Sequence, residues 1–253
     1  MKTDDVVVDV SQDWVLACHV QQRFMHGPGS GHRLSVDYSA RCRQARALGG
    51  DCYDFMPLTD DRLALVVGDA SGKGLAAALM IANVQSSLRT AALFTSNDLA
   101  ALLKVVNHQA YTSSLADRYA TLFYGVFDEA THTLRYVNAG HNPPIVLRDD
   151  GSVHWLEPSG APVGMFPDSN YHEFLLQLNP GDLVIAYTDG VIEATNPGRE
   201  EWGVQGLLKA TAAWESQCSQ NAEDLVQSIF NSMDDFSGGC QTDDATLAVL
   251  RVV

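Results

Sequence analysis

The pattern of apolar and polar positions changes its period along the chain. In five segments, apolar residues recur at the three- to four-residue spacing of a helix with one buried face. These segments are 13–25, 74–93, 97–114, 204–214 and 222–233. Asn97 or Asp98 stands at the start of the third segment and is a residue type that favours helix N-caps. The pattern therefore predicts five helices.

The remaining segments predict strands. Two apolar runs of strand length, 62–69 and 182–190, carry an aspartate at their ends and are typical of buried strands. Between them, from Ala120, short alternating segments are separated by turns such as "DDG" and "NPGD". A last strand, "ATLAVLRVV", follows the final helix. This order predicts an α+β fold with a central antiparallel β-sandwich flanked by α-helices.

Composition narrows the possible functions. The 253 residues carry a net charge of −15, and 16 Lys and Arg against 31 Asp and Glu argue against a nucleic-acid binder. No run of 18 apolar residues is present, so no membrane span is expected. Five cysteines without metal-type spacing favour a reducing, cytoplasmic setting, and no signal-peptide pattern is visible.

Acidic residues cluster at the ends of predicted strands, beside glycine or another small residue. They are Asp51 and Asp54 in "GGDCYD", Asp69 after "LALVVG", Asp189 after "LVIAYT", and Asp243 and Asp244 before the last strand. One such site alone is usually a turn, whereas four together indicate a shared pocket. Carboxylates in one pocket repel each other unless cations neutralise them, and hard oxygen ligands suit Mg²⁺ or Mn²⁺. A two-metal site activates water for in-line attack on phosphorus.

Lys73 raises a second hypothesis, a nucleotide-binding phosphate loop, because it lies in "GDASGKG" at the start of a predicted helix. That loop requires the pattern G-x-x-x-x-G-K-[ST]. Here three residues separate Gly68 from Gly72, and Gly74 stands where a hydroxyl is needed. We therefore expect no tight ATP binding, and we expect Lys73 to be a surface or helix-entry residue whose substitution is mild.

Six motifs together resemble the PPM-type, protein phosphatase 2C-like family in its bacterial SpoIIE/RsbU branch. They are "GGDCYD", "GDASGKGLAAALM", "ATLFYGVFD", "YVNAGHNPP", "LVIAYTDGVIEA" and "DDATLAVL". The resemblance implies a four-layer fold and removal of phosphate from Ser or Thr of a partner protein with two divalent ions, Mn²⁺ or Mg²⁺. It divides the chain into an N-terminal helix and linker, 1–33, and a phosphatase domain, 34–253.

The resemblance also implies roles for individual residues. The implied metal ligands are Asp51, Asp69, Asp189, Asp243 and the carbonyl group of Ala70, and the four aspartates act in catalysis through metal-bound water. Asp51 resembles the ligand that bridges the two ions or lies beside that bridge. Asp54, Gly190 and Asp244 resemble residues that support the ligands, and the two carboxylates would orient metal-bound waters.

The residue that holds the substrate phosphate stays open. Animal enzymes of the wider family use an arginine, and the weak candidates in this sequence are Arg41, Arg43, Arg46 and Arg118. Each of them also fits a solvated surface arginine. His141 in "AGHNPP" is either a general acid or a hydrogen-bonded turn histidine, and the rigid turn that follows favours the second interpretation.

The implied partners are regulatory proteins. Substrates of the family are usually phosphorylated STAS-type anti-sigma-factor antagonists, and the helix at 13–25 resembles one that joins an upstream sensor to this domain. The apolar face of this helix could contact an activating protein or sensor, a second copy of the chain in a homodimer, or its own domain. The sequence does not decide between these three. A second class of function, a non-catalytic or partner-activated interaction module of the same fold, is distinguished by metal-dependent hydrolysis.

Overall fold

The computed structural model describes residues 10–25, 29–59, 61–95, 97–115, 117–216 and 221–253. Cys218 and residues 26–28 of the predicted linker lie outside these residues. The other four cysteines, Cys18, Cys42, Cys52 and Cys240, are free thiols, as the sequence predicts. No helix in the described ranges combines the length and apolar character needed to cross a bilayer.

Six helices and eleven strands form the described chain. The helices are α1 (Val10–Met25), α2 (Leu75–Thr95), α3 (Leu99–Ser113), α4 (Asp189–Ile192), α5 (Gly203–Glu215) and α6 (Ala222–Ser237). The strands are β1 (Ser30–His32), β2 (Val36–Arg43), β3 (Asp51–Thr59), β4 (Arg62–Ala70), β5 (Ala120–Asp128), β6 (Thr133–Ala139), β7 (Ile145–Leu147), β8 (Val153–Trp155), β9 (Phe174–Gln177), β10 (Leu183–Tyr187) and β11 (Ala245–Val252). The five predicted helices are present, and Asp98 caps α3 by accepting a hydrogen bond from the backbone N–H of Ala101.

The strands form two antiparallel sheets that stack as a sandwich. One sheet has the order β1-β2-β11-β10-β7-β8, and the other has the order β3-β4-β5-β6-β9. Side chains alternate between the two faces of a strand, so one face of each sheet contacts the other sheet and the opposite face contacts helices. Apolar residues such as Phe55, Leu65 and Phe123 fill the space between the sheets. The predicted β-sandwich is therefore confirmed.

Helices cover both outer faces of the sandwich and complete four layers. Helices α2 and α3 pack against the β3-β4-β5-β6-β9 sheet through residues such as Ile81 and Leu102. Helices α5 and α6 pack against the other sheet through residues such as Leu207 and Phe230. Both interfaces are apolar, so burial of this surface stabilises the layers. At one end of the sandwich, where β4 and β10 end and β3 and β11 begin, polar residues lie close together.

The N-terminal segment differs from its prediction in two ways. Residues Ser30–His32 pair with β2 as strand β1, so they belong to the sheet and not to a flexible linker. On α1, the apolar side chains of Val15, Leu16 and Val20 are 54, 61 and 57% exposed. The interpretation in which this stripe packs on its own domain is therefore wrong for these three residues, while self-pairing stays a prediction.

Candidate metal centre and active site

Antiparallel pairing of β3 and β4 brings two aspartates together. Asp51 is the first residue of β3, Asp69 is the second-last residue of β4, and their Cα atoms are register partners. Both lie on the face that carries Tyr53 and Val67 into the space between the sheets. Strand β3 is missing from the sequence prediction, which placed Asp51 near a strand end without identifying the strand.

The other sheet delivers the second pair of acids to the same end of the sandwich. Asp189 begins α4 directly after β10, and Asp243 precedes β11, which pairs with β10. Gly190 lies against the backbone of Asp244, where a Cβ atom would clash with the carbonyl oxygen of Asp244. Glycine at this position therefore lets the two strand ends approach each other.

Two threonines that the sequence analysis did not single out hold Asp51 in place. The hydroxyl groups of Thr188 and Thr246 donate hydrogen bonds to Oδ2 of Asp51, at 2.8 and 2.7 Å. The backbone N–H of Thr246 donates in turn to the hydroxyl oxygen of Thr188, at 2.9 Å. All three side chains are buried, so the orientation of the Asp51 carboxylate is fixed by the opposite sheet.

The acids of this cluster have raised pKa values, because burial and neighbouring negative charges are not balanced by enough positive charge. Burial, followed by the charge of Asp69, holds the pKa of Asp51 well above its usual range. Burial, and then the charges of Asp189 and Asp243, raise the pKa of Asp69 to about 7. Burial and Asp243 also raise the pKa of Asp189. A divalent cation would relieve this repulsion, since it favours the charged form of every carboxylate near it.

Lys73 is a member of this cluster and not a remote surface residue. Its Nζ atom lies 2.5 Å from Oδ2 of Asp243 and 3.4 Å from the carbonyl oxygen of Thr242. Its charge also lowers the pKa of Asp189, partly offsetting the shift that burial causes. The expectation of a surface or helix-entry residue agrees with its exposed side chain, whereas the ion pair with Asp243 was not predicted.

The donor chemistry of the cluster fits hard divalent cations, because its acidic side chains offer carboxylate oxygens. The carbonyl group of Ala70 lies at the same place, close to Gly50 and to the side chain of Asp69. Within the described residues, no three acidic, histidine or cysteine side chains already surround a common point. Lys73 occupies one carboxylate oxygen of Asp243.

Asp54 and Asp244 have partners other than the acid cluster. Asp54 lies on the face of β3 opposite to Asp51, and Nε of Arg89 donates a hydrogen bond of 2.6 Å to its carboxylate. The structure therefore does not bring Asp54 to the place where it could orient metal-bound waters. Asp244 accepts hydrogen bonds from the backbone N–H groups of Ala45 and Gly50, at 2.7 and 2.8 Å. It thereby fixes the loop that leads to Asp51.

Of the four arginine candidates for phosphate binding, two lie away from the cluster, Arg118 contacts the loop after Asp69, and Arg46 is exposed. Arg41 and Arg43 lie over the ring of Phe230 on α6, and Arg43 pairs with Asp234, so neither is at the cluster. Arg118 is closer, since its Nη1 atom donates a hydrogen bond of 3.0 Å to the carbonyl oxygen of Ser71. That bond ties its guanidinium to the backbone of the loop that follows Asp69.

His141 is a buried turn histidine beside the cluster. Its Nδ1 atom lies 2.9 Å from the hydroxyl of Thr121, and its backbone N–H donates to the side chain of Asn138. Thr121 is the register partner of Asp69, so His141 packs next to the acid cluster. Burial lowers the pKa of His141 to about 4, which keeps the ring neutral at neutral pH. This favours a supporting role over that of a general acid.

This sandwich, with helix layers outside and aspartates gathered at one end, is the architecture of a PPM-type phosphatase domain. The chain belongs to the SpoIIE family, since the family described as "Stage II sporulation protein E (SpoIIE)" matches residues 59–253. The family resemblance that the motifs indicate is therefore confirmed.

Two curated relatives illustrate this membership. Protein IcfG of Synechocystis is 34% identical over 234 residues, which cover 82% of this chain. Phosphoserine phosphatase RsbU of Bacillus subtilis is 28% identical over 249 residues, which cover 96% of this chain. The matched region amounts to 36% of the length of IcfG and 71% of that of RsbU, so the chain spans only about a third of the first relative.

Solved structures share the fold. The RsbU and RsbW domains of Rv1364c from Mycobacterium tuberculosis align with a TM-score of 0.71 and 27% identity, covering 88% of this chain and 62% of that one. The catalytic domain of the serine/threonine phosphatase PstP, solved with two manganese ions, aligns with a TM-score of 0.63, covering 87% of this chain and 99% of that one. At 16% identity, the second likeness shows the fold alone.

Proposed function

We propose that this protein is a metal-dependent protein serine/threonine phosphatase. The observation that carries the proposal is the meeting of Asp51, Asp69, Asp189 and Asp243 at one end of the sandwich, with raised pKa values for the first three. Two divalent ions, Mn²⁺ or Mg²⁺, would supply an activated water for in-line attack on the phosphorus of a phosphoserine or phosphothreonine. PstP, which shares the fold, was solved with two manganese ions.

The residues of this chain then have distinct tasks. The four aspartates and the carbonyl group of Ala70 would hold the two ions, and Asp51, which both sheets contact, would be the ligand at or beside the bridge between them. Thr188 and Thr246 keep one oxygen of Asp51 hydrogen-bonded, so that its other oxygen is presented to the cluster. Asp244 and Gly190 support this arrangement through the backbone around them.

The proposed substrate is a phosphorylated STAS-domain protein of the anti-sigma-factor antagonist type, in bacterial stress signalling in the cytoplasm. Support comes from the relative RsbU, which is named a phosphoserine phosphatase, and from a structural neighbour that joins RsbU and RsbW domains. The exposed, acidic character of the chain suits a protein partner better than a nucleic acid.

A phosphate-release assay tests this function directly. The purified chain is incubated with a phosphorylated STAS-domain protein in the presence of Mn²⁺, of Mg²⁺ or of EDTA. We expect phosphate release with at least one of the two ions and none with EDTA. Release that persists in EDTA would remove the metal mechanism, and no release with either ion from any phosphoserine protein would favour the non-catalytic module.

A partner-activated form of the enzyme is supported by the way α1 is attached. Nε2 of Gln21 donates a 2.6 Å hydrogen bond to the carbonyl oxygen of Gly49, and the N–H of Gly49 donates back to Oε1 of Gln21. The next residue, Gly50, is held by Asp244 and precedes Asp51. A protein that moves α1 would therefore act on the loop that carries a proposed metal ligand.

Replacement of Gln21 tests this connection. We expect Gln21→Ala to change turnover or the Mn²⁺ dissociation constant by about 3-fold to 10-fold, since two buried hydrogen bonds next to Asp51 are lost. The matched control is Gln12→Ala, at an exposed position on the same helix. Equal behaviour of the two variants in turnover and in Mn²⁺ titration would show that α1 is not coupled to the site.

A further inference from the structure

Among the residues that the structure describes, Lys73 is a basic residue that forms an ion pair with a member of the acid cluster. The ammonium group of Lys73 lies 2.5 Å from Oδ2 of Asp243, and its charge also acts on Asp189 and Glu193. Its side chain is 45% exposed, so the ammonium group is open to solvent at the mouth of the cluster. A dianionic phosphate that approaches this acidic end would meet this cation.

Three arginines near the cluster have partners of their own, although Nε of Arg118 makes no hydrogen bond, and a fourth, Arg46, is exposed. Arg43 pairs with Asp234, Arg89 pairs with the buried Asp54, and Arg118 is bound to the carbonyl oxygen of Ser71. A Cβ atom at Gly72 would lie 2.0 Å from Nη1 of Arg118. The guanidinium group therefore packs directly against the backbone of this loop. Among these basic residues, Lys73 is the one whose partner is itself a proposed metal ligand.

The local backbone gives Lys73 freedom to change partner. Gly72 and Gly74, on either side of it, have φ values of +89° and +75°, in the left-handed region that favours glycine. A Cβ atom at Gly74 would meet no atom within 4 Å, so the space around this turn is open. A lysine is a flexible point charge with three donors, which suits it to leave one anion for another.

We propose that Lys73, whose ammonium group pairs with Asp243 at the edge of the acid cluster, binds the phosphate group of the substrate. A divalent ion held by Asp243 would compete with the ammonium group for this carboxylate and would thereby favour release of Lys73. The substrate phosphate then offers Lys73 a new anionic partner close by. This inference rests on the proposed phosphatase function and adds the residue that recognises the phosphate.

The experiment uses inorganic phosphate as the probe and compares Lys73→Met, Lys73→Arg and, as a matched control, Lys104→Met at an exposed position of α3. Titration calorimetry gives the dissociation constants for Mn²⁺ and then for phosphate on the Mn²⁺-loaded protein. We expect Lys73→Met to weaken phosphate binding by about 10-fold to 100-fold, the effect of losing a charged hydrogen bond. Lys73→Arg should stay within about 3-fold of the original protein.

Mn²⁺ affinity separates this role from a structural one. If Lys73 competes with the ion, Lys73→Met binds Mn²⁺ at least as tightly as the original chain. Phosphate affinity that is unchanged in Lys73→Met would overturn the proposal, and so would a loss of Mn²⁺ affinity as large as the loss of phosphate affinity. Failure of the phosphatase proposal looks different, because the original protein itself would then release no phosphate from a phosphoprotein.

Discussion

The two ends of the β-sandwich treat buried acids in opposite ways. At the end away from the acid cluster, Asp182 is 1% exposed and pairs with Arg148 at 2.5 Å, while the buried Glu129 pairs with Arg33. At the cluster end, Asp51 is equally buried but has hydroxyl groups, not an arginine, as its partners. Its neighbour Asp69 has further acids around it.

This difference separates acids that stabilise the fold from acids that are available to bind a ligand. A buried carboxylate with its own arginine is already neutralised, so nothing further needs to bind it. A group of carboxylates with one lysine among them keeps a charge imbalance that a divalent ion can remove. Substitutions at the two ends should therefore separate catalysis from stability.

The largest expected effect is at Asp69. Replacement by asparagine keeps the shape but removes a metal ligand, so Mn²⁺-dependent turnover should fall by about 1000-fold. The melting temperature of the metal-free protein should not fall, since the lost charge is one that its neighbours repel. Turnover is followed by phosphate release and melting by circular dichroism. Retention of turnover in Asp69→Asn would remove Asp69 from the metal site.

The same change at the far end should have the reverse outcome. Asp182→Asn breaks a buried ion pair with Arg148, and we expect a loss of about 2 kcal/mol in the free energy of unfolding. Turnover per folded molecule should stay as in the original protein. Urea unfolding measures the first quantity. A variant as stable as the original chain would mean that this pair does not stabilise the fold.

Thr246 gives an intermediate effect, because it positions a ligand without being one. Thr246→Val removes one of two hydroxyl donors to Asp51, and Mn²⁺ affinity should fall by about 10-fold. Thr211→Val is the matched control: Thr211 is also buried, but its hydroxyl bonds to the backbone of α5. Calorimetric Mn²⁺ titration of both variants measures the difference. Equal affinities would show that Thr246 only fills space.

The smallest effect expected is a pH dependence of the metal-free protein. The raised pKa values of Asp51, Asp69 and Asp189 mean that the folded chain binds more protons than the unfolded chain between about pH 4 and 7. These three carboxylates therefore stabilise the folded chain most at acidic pH, and their contribution is lost as pH rises through 7. The single buried His141, whose pKa is lowered to about 4, acts in the opposite direction, and we expect the three carboxylates to outweigh it. We expect the melting temperature to drop by about 5 °C between pH 5.5 and 8.

Two additions sharpen this pH experiment. Saturating Mn²⁺ should remove the fall, because the bound ion stabilises the ionised carboxylates and its own binding strengthens as protons leave. Asp69→Asn should flatten it, since one of the titrating groups is then gone. A melting temperature of the metal-free protein that rises from pH 5.5 to 8 contradicts the charge imbalance described for the cluster.

Much of the fold follows from periodicity in the sequence. The apolar run at 62–69 and the alternating segments after Ala120 become strands β4 to β9, and Asp98 caps α3 as its position suggests. Strand β3 was not predicted because both of its faces are buried near its start, which removes the alternation, while Asp51 and Asp54 interrupt the apolar run that marks a buried strand. Without that strand, the opposite orientations of Asp51 and Asp54, three residues apart, stay hidden.

The acid cluster was predicted by motif, whereas its supporting contacts were not. Thr188 and Thr246 are 137 and 195 residues from Asp51, and β-branched residues in strands are read first as strand formers. Lys73 is 170 residues from Asp243, so no local pattern indicates their ion pair. These contacts depend on how the two sheets stack, and the linear pattern carries no record of that geometry.

The proposed metal site depends on the register in which β3 and β4 pair. Asp51 and Asp69 are paired residue to residue, and a slip by one position would turn one of the two carboxylates to the other face of the sheet. An ion that needs both carboxylates would not bind to such molecules. Under this proposal, the number of Mn²⁺ ions bound per chain reports the fraction of molecules in which the β3–β4 hairpin has the correct register.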